Sequence, residues 1–365
     1  MKNIIYMSKE IISIVAIIVV SSTNYTFAQN DTSTAPTKEL SSTESDNTFQ
    51  PGLLPGAVSV VPGFVMHGAG HWAAGDSQTA KKLLTAEICG IGLMFGGIFA
   101  AAMTGASPFT TGAAVIASTV GFSLFLHSYT SDIYGSTGSI GGLAGDPEKL
   151  VLRTGFCYID DPLFNNSYMI TTALNMTFNR VFIKSSAAST FDSTNYLAGV
   201  LTAYRIWKSD SYQNVKEKTF VDIEGALSYK KYQSEKFSVI TPELRFTGRY
   251  DLARFSPTLS GSFSEVSLGY GAAYHKYDIS DTYDGDNIYD VLIVRSTYGI
   301  YLKKSNGEIR AFYDQRKDTY AGGMNSFMGY AGVAAEVFLH NSIGCFTEIS
   351  YGSALVINTG LLYRY

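Results

Sequence analysis

From Tyr168 to the end, the chain alternates with a period of two. In SYMITTALNMTFNR, Tyr168, Ile170, Leu174, Met176 and Phe178 stand against Thr171, Asn175, Thr177 and Asn179. In SFSEVSLGYGAAYHKY, Val266, Leu268, Tyr270, Ala272 and Tyr274 stand against Glu265, Ser267, Gly269, Gly271 and His275. FVDIEGALSY and SVITPELRFTGRY split the same way, with Asp222, Glu224, Glu243, Arg245 and Arg249 on the polar side. A strand sends successive side chains to opposite faces, so each segment is predicted to be a strand with one apolar and one polar face.

Two architectures give this pattern: a soluble sandwich or barrel with an apolar interior, and a membrane barrel with its apolar face toward lipid. The segments run about 12 to 17 residues, longer than the five or six usual in globular sheets, whereas a tilted bilayer-crossing strand needs about 9 to 11. Tyrosines end the apolar faces, as aromatic girdles do at membrane interfaces. Short turns such as KSNGE alternate with long polar ones such as DISDTYDGDN. Charged residues are 16% of the chain, below the roughly 25% of soluble domains, so part of the surface is expected to be solvated by something other than water.

These features make the stretch from about Tyr168 to Tyr365 resemble the outer-membrane β-barrels of Gram-negative bacteria. In that class the last strand carries an aromatic residue preceded by apolar alternate positions, which the barrel-assembly machinery reads; Leu355, Ile357, Leu361, Tyr363 and Tyr365 match. The resemblance implies outer-membrane lipids and the assembly machinery as partners, and no cofactor. Counting back gives ten strands, near 354–365, 342–352, 326–340, 307–316, 287–303, 261–277, 236–250, 218–231, 195–208 and 166–183. The count becomes twelve if LVLRTGFCYI is a strand and the FDSTNY connection hides another. The fold class is thus an all-β transmembrane barrel preceded by an apolar helical hairpin. Glu224, Glu243, Arg245, Arg249, Glu265, Arg295, Glu336 and Glu348 are expected to crowd a narrow lumen with paired charges.

The front of the chain differs. Residues 1–28 carry Lys2 and Lys9, the apolar core IISIVAIIVV and small residues before a cut after Ala28, the pattern of a cleavable export signal. Residues 29–52 are a Ser/Thr-rich linker expected to be disordered. Residues 53–134 form the helical hairpin region, 135–152 a Gly-rich linker and 153–365 the barrel. A net charge of −4 argues against nucleic acid as a partner. Cys89, Cys157 and Cys345 are too few and too widely spaced for a disulfide framework and read as small buried or lipid-facing hydrophobes.

Within the hairpin region, KLLTAEICGIGLMFGGIFAAAM and TTGAAVIASTVGFSLFLH are apolar runs of helical length. Gly90, Gly92, Gly96 and Gly97, with Ala100 to Ala102, permit close helix packing. Three placements fit: a plug in the lumen, a membrane companion to the barrel, or a compact periplasmic pair. Upstream, VPGFVMHGAGHWAAGD resembles the Pro-Gly, Gly-His, Gly opening of helix-hairpin membrane segments in bacterial proteins. His67 and His71 are four apart, a spacing that can hold a metal with Glu87 or Asp76 as third ligand, although Gly68 and Gly70 oppose the helix this needs.

Chemistry is otherwise sparse. His340 and Ser342 have the His-x-Ser spacing of outer-membrane phospholipases and lipid A deacylases, a three-residue resemblance without the surrounding motif. Asp278, Asp281, Asp284, Asp286 and Asp290 supply calcium-type ligands in one polar loop, without helix-loop-helix spacing. The expectation is a non-enzymatic barrel, a gated or plugged conduit for small solutes; the alternatives are a lipid hydrolase at His340 and Ser342 or a structural, surface-adhesion protein.

Overall fold

The computed structural model describes residues 49–365 except 106, 140, 143–148, 162–163, 193, 213–214, 233–235, 278–286, 303–306, 316–328, 341 and 353. The segments read as signal and linker, up to residue 48, lie outside the described residues, as do four of the five loop aspartates.

Twelve antiparallel strands close on themselves: β1 (Leu150–Asp161), β2 (Phe164–Phe178), β3 (Val181–Thr190), β4 (Asn195–Tyr212), β5 (Val215–Tyr232), β6 (Phe237–Asp251), β7 (Ser262–Tyr277), β8 (Asn287–Tyr301), β9 (Gly307–Asp314), β10 (Tyr330–Phe338), β11 (Ile343–Gly352) and β12 (Leu355–Arg364). Each strand pairs with its sequence neighbours and β1 pairs with β12, so closure leaves no open edge. The ten-strand count grows by two. LVLRTGFCYI is β1, and the run read as one strand over 166–183 is broken after Phe178 by a two-residue turn. Asn179 there has φ 51°, a left-handed conformation that asparagine tolerates better than most residues. The second added strand, β3, thus precedes FDSTNY instead of lying within it.

The register assigns every strand residue to a face. Arg249 opposes Glu265 and Arg245 opposes Glu224 across neighbouring strands, and these charges share the lumenal face. The opposite face is apolar and exposed all round, with Phe156 on β1, Ile170 on β2, Leu227 on β5, Leu244 on β6, Val333 on β10 and Ile349 on β11. On β12, Leu355, Ile357, Leu361 and Tyr363 face outward while Asn358, Gly360 and Arg364 face the lumen. Outward aromatics gather at both ends. Tyr204, Tyr250 and Tyr363 stand at the end where Arg364 lies; Tyr158, Tyr168, Tyr196, Tyr229 and Tyr351 stand at the other. Tyr158 and Tyr168 pack at 5.1 Å between ring centroids, and Tyr196 and Tyr229 at 5.6 Å.

Before the barrel come α1 (Leu53–Val60), a 3-10 turn at Pro62–Phe64, α2 (Ala69–Ala73), α3 (Ser77–Met103) and α4 (Pro108–Ser136). The chain divides into two compact units. The inner arms of α3 and α4, Ile88–Phe125, belong to one; residues 50–87 and 126–365 form the other.

In the hairpin unit the two arms touch through glycine. A Cβ on Gly121 would lie 2.5 Å from the Gly90 carbonyl oxygen, and one on Gly97 would lie 3.0 Å from that of Ala114. The Ser118 hydroxyl donates to the Met94 carbonyl at 2.9 Å. Gly90 and Gly97 thus serve packing, whereas Gly92 and Gly96 face open space.

Candidate functional site

The lumen is the first candidate. A continuous chain of ion pairs runs Glu265–Arg249–Glu308–Arg310–Glu336–Arg153, with distances of 2.8, 3.1, 3.4, 2.6 and 2.8 Å. Two links join strands that are not neighbours. Arg249 on β6 reaches Glu308 on β9, past β7 and β8, and Arg153 on β1 reaches Glu336 on β10, past β12 and β11. Such links form only across the interior, so at this level side chains bridge the lumen.

Further pairs line the same face: Arg205 makes a two-pronged bond to Asp222 at 2.8 and 2.9 Å, and Arg245 bonds Glu224. Phenylalanines back the cations, with Arg249 3.9 Å over Phe263 and Arg153 4.4 Å over Phe346, adding cation–π attraction. Of the sequence-nominated charges, Arg249, Glu265 and Glu336 stand in the chain, and Glu308, Arg310 and Arg153 complete it.

Toward the other end the lumenal face turns apolar. Cys157, Ile159, Met169 and Val356 cluster on one wall, and Phe237, Val239, Val291 and Ile293 on another. Cys157 is accordingly buried in the lumen, while Cys345 is exposed on the outer face of β11 and Cys89 is exposed on α3.

The second candidate is the helical base. Its centre is Asp132 on α4, fully buried, which accepts backbone N–H bonds from Gly68 (3.0 Å), Gly70 (3.1 Å) and His71 (3.1 Å) and faces His71 Nδ1 at 2.6 Å. The glycines make this cradle possible. Gly68 has φ 96° and a Cβ there would meet the Ala80 carbonyl oxygen at 2.4 Å; a Cβ on Gly135 would meet His71 Nε2 at the same distance.

His67 sits one turn away with different partners: its N–H donates to Glu87 at 2.8 Å and its Nδ1 shares a 2.6 Å bond with Ser128 Oγ. Burial holds the His67 imidazole below its ordinary range, opposed by the nearby Glu87 and Asp132 carboxylates. Among the described residues no group of three or more His, Cys, Asp or Glu side chains is placed to hold a metal. His67 and His71 bond to Ser128 and Asp132, and Asp76 instead caps the Thr79 N–H at 3.0 Å.

The base meets the barrel at two places. At the β6–β7 turn, Thr79 Oγ1 bonds Ser256 Oγ at 2.6 Å, Lys82 donates to the Phe255 carbonyl at 2.8 Å, and Leu83 packs with Leu252 and Leu259. On the barrel wall, His127 of α4 bonds Ser264 Oγ through Nδ1 at 2.6 Å and Ser296 Oγ through Nε2 at 3.1 Å. Ser264 and Ser296 are neighbours in sequence of lumenal Glu265 and Arg295, so they point outward. This segment of α4 lies on the outer wall of β7 and β8, where Val294, Ser296 and Tyr298 are buried.

The nominated His340 and Ser342 lie on the β10–β11 turn at the Arg364 end. The His340 side chain is exposed and its N–H donates to the Ile343 carbonyl at 3.1 Å; the Ser342 carbonyl accepts from Arg364 at 2.8 Å. Both residues contribute backbone hydrogen bonds at this turn.

A closed antiparallel barrel with an apolar outer face, two aromatic girdles and a charged lumen is a transmembrane β-barrel of the outer-membrane type. No protein-family model and no curated protein matches the chain. Among solved structures it is similar to the Acinetobacter baumannii outer membrane protein Omp33 (8% identity, 60% of this chain and 98% of that one, TM-score 0.31). It is also similar to the beta domain of the Bordetella autotransporter BrkA (10%, 60% and 99%, 0.34) and the translocator domain of the autotransporter NalP from Neisseria meningitidis (11%, 60% and 90%, 0.36). The class is defined by the chain's own closed barrel.

Proposed function

We propose that the chain is a non-enzymatic protein of the bacterial outer membrane, exported on residues 1–28 and inserted by the barrel-assembly machinery, which would bind the apolar alternate residues of β12. Its lumen is held shut to bulk solute by the Arg–Glu chain, so that passage of small solutes requires this chain to part. The observation that carries this reading is the pair of links between non-neighbouring strands, Arg249–Glu308 and Arg153–Glu336. A lumenal charge left behind without its partner is costly, roughly 3–5 kcal/mol, so the chain resists piecemeal opening.

Liposome swelling with small sugars and amino acids tests it. Wild-type protein is expected to give swelling near that of empty liposomes, and the Arg249→Ala, Arg310→Ala double variant to raise it severalfold; rapid swelling by the wild type would defeat the proposal. The alternative is a lipid hydrolase at His340 and Ser342; on the reading proposed here, purified protein incubated with phospholipid is expected to release no fatty acid.

A further inference from the structure

We propose that the hairpin Ile88–Phe125 is itself a lipid-embedded element, its apolar surface covered by the hydrocarbon of the membrane that holds the barrel. The inference rests on the membrane residence proposed above and adds a pair of helices to a class of protein that otherwise crosses with strands.

Composition comes first. No Asp, Glu, Lys, Arg or His falls between Glu87 and His127. The helices that contain this stretch offer two spans of 27 residues, long and apolar enough to cross a membrane. At about 1.5 Å per residue each is about 40 Å long, against a hydrocarbon core of about 30 Å.

Packing leaves those spans largely bare. The arms meet along Gly90, Gly97 and Gly121, and Ile88, Phe95, Ile98, Phe99 and Met103 stay outside that seam, with Phe95 60% and Phe99 67% exposed. A fully buried side chain of this size gains about 1.5–3 kcal/mol, so leaving such a surface in water is unfavourable by several times that amount. Small-residue seams with apolar outer faces are how helices associate where lipid is the solvent.

The last turns of α4, which belong with the barrel, already lie against its outer wall. Tyr134 of α4 donates to the Ser260 carbonyl at 2.8 Å, at the end of the barrel wall, and His127, two turns earlier in α4, bonds Ser264 and Ser296 on the outer face of β7 and β8. Outward hydroxyls among lipid-facing residues are unfavourable unless hydrogen-bonded, and His127 supplies the bonds. At His127, therefore, α4 already occupies the place lipid takes on the other strands. The residues of α4 between Pro108 and His127 carry no charge.

Spin-label accessibility in phospholipid vesicles tests the inference. In a variant with Cys89, Cys157 and Cys345 changed to Ala, single labels are placed at Phe95→Cys and Phe99→Cys on the hairpin. Controls are Leu227→Cys on the outer barrel face and Asp192→Cys in an exposed turn. Collision with oxygen, which partitions into hydrocarbon, is compared with collision with a water-soluble nickel chelate. The hairpin labels are expected to match Leu227→Cys, oxygen-rich and nickel-poor. Labels at 95 and 99 that match Asp192→Cys would place the hairpin in water, and labels shielded from both reagents would mean that protein covers it; either result overturns the inference. If Leu227→Cys is itself nickel-accessible, the membrane residence of the barrel fails instead. As a second readout, Phe99→Trp with Trp72 and Trp207 replaced by Phe is expected to be quenched severalfold by brominated lipid, and no quenching counts against the inference.

Discussion

Buried Asp132 holds three backbone N–H groups and the His71 imidazole in place at once. Asp132→Ala leaves those donors without an acceptor and is expected to weaken the helical base on the order of 3 kcal/mol. Fluorescence of Trp72 in a Trp207→Phe background reads that loss, while the barrel keeps its heat-modifiable mobility in detergent gels; an unchanged Trp72 unfolding curve would contradict it. His67 adds a pH dependence. Its folded-state affinity for a proton is lowered, so the unfolded segment takes up the proton first as pH falls. The stability of the base is therefore full above about pH 6.5, the unperturbed histidine value, and declines below it. Trp72 unfolding at pH 7.5 and 5.5 should differ for the wild type and converge for His67→Gln.

The role of Asp132 was within reach of the sequence: it is the sole acidic residue between Glu87 and Asp146. The i, i+4 spacing of His67 and His71 does not reveal it, because spacing along the chain says nothing about a partner that folding brings from more than sixty residues away.

At the level of elements, alternation was enough to place most strand ends to within a few residues, since a lipid-facing strand must keep its period along its length. The β2–β3 turn is hard to see in the sequence because its residues, Asn179 and Arg180, are neither Gly nor Pro. The legible sign was a change of phase, with Phe178 outward at an even position and Val181 and Ile183 outward at odd ones. The hairpin glycines show the opposite limit. Four were visible as a group, but only a structure separates Gly90 and Gly97, which pack, from Gly92 and Gly96, which do not. Gly121→Leu is expected to force the arms apart, at a cost of about 1–3 kcal/mol. Distances between spin labels at Gly92→Cys and Gly112→Cys, both in open space, should broaden and lengthen; a distribution unchanged by the substitution would refute the seam.

For the whole molecule, the outer face was the most legible part and the lumen the least. Apolar alternation reports the outer face directly, whereas the sequence shows charges on the lumenal side without showing which join across the barrel. Arg249 and Glu308 lie on strands separated by two others, and the curvature of the sheet brings them within 3.1 Å. The proposed function has the ion-pair chain from Glu265 to Arg153 close this lumen. Single-channel recording in planar bilayers tests this most directly. Wild-type protein should add few or no conductance steps, and the Arg249→Ala, Arg310→Ala variant should add discrete ones. A stable open channel in the wild type, unchanged by the double substitution, would contradict the account.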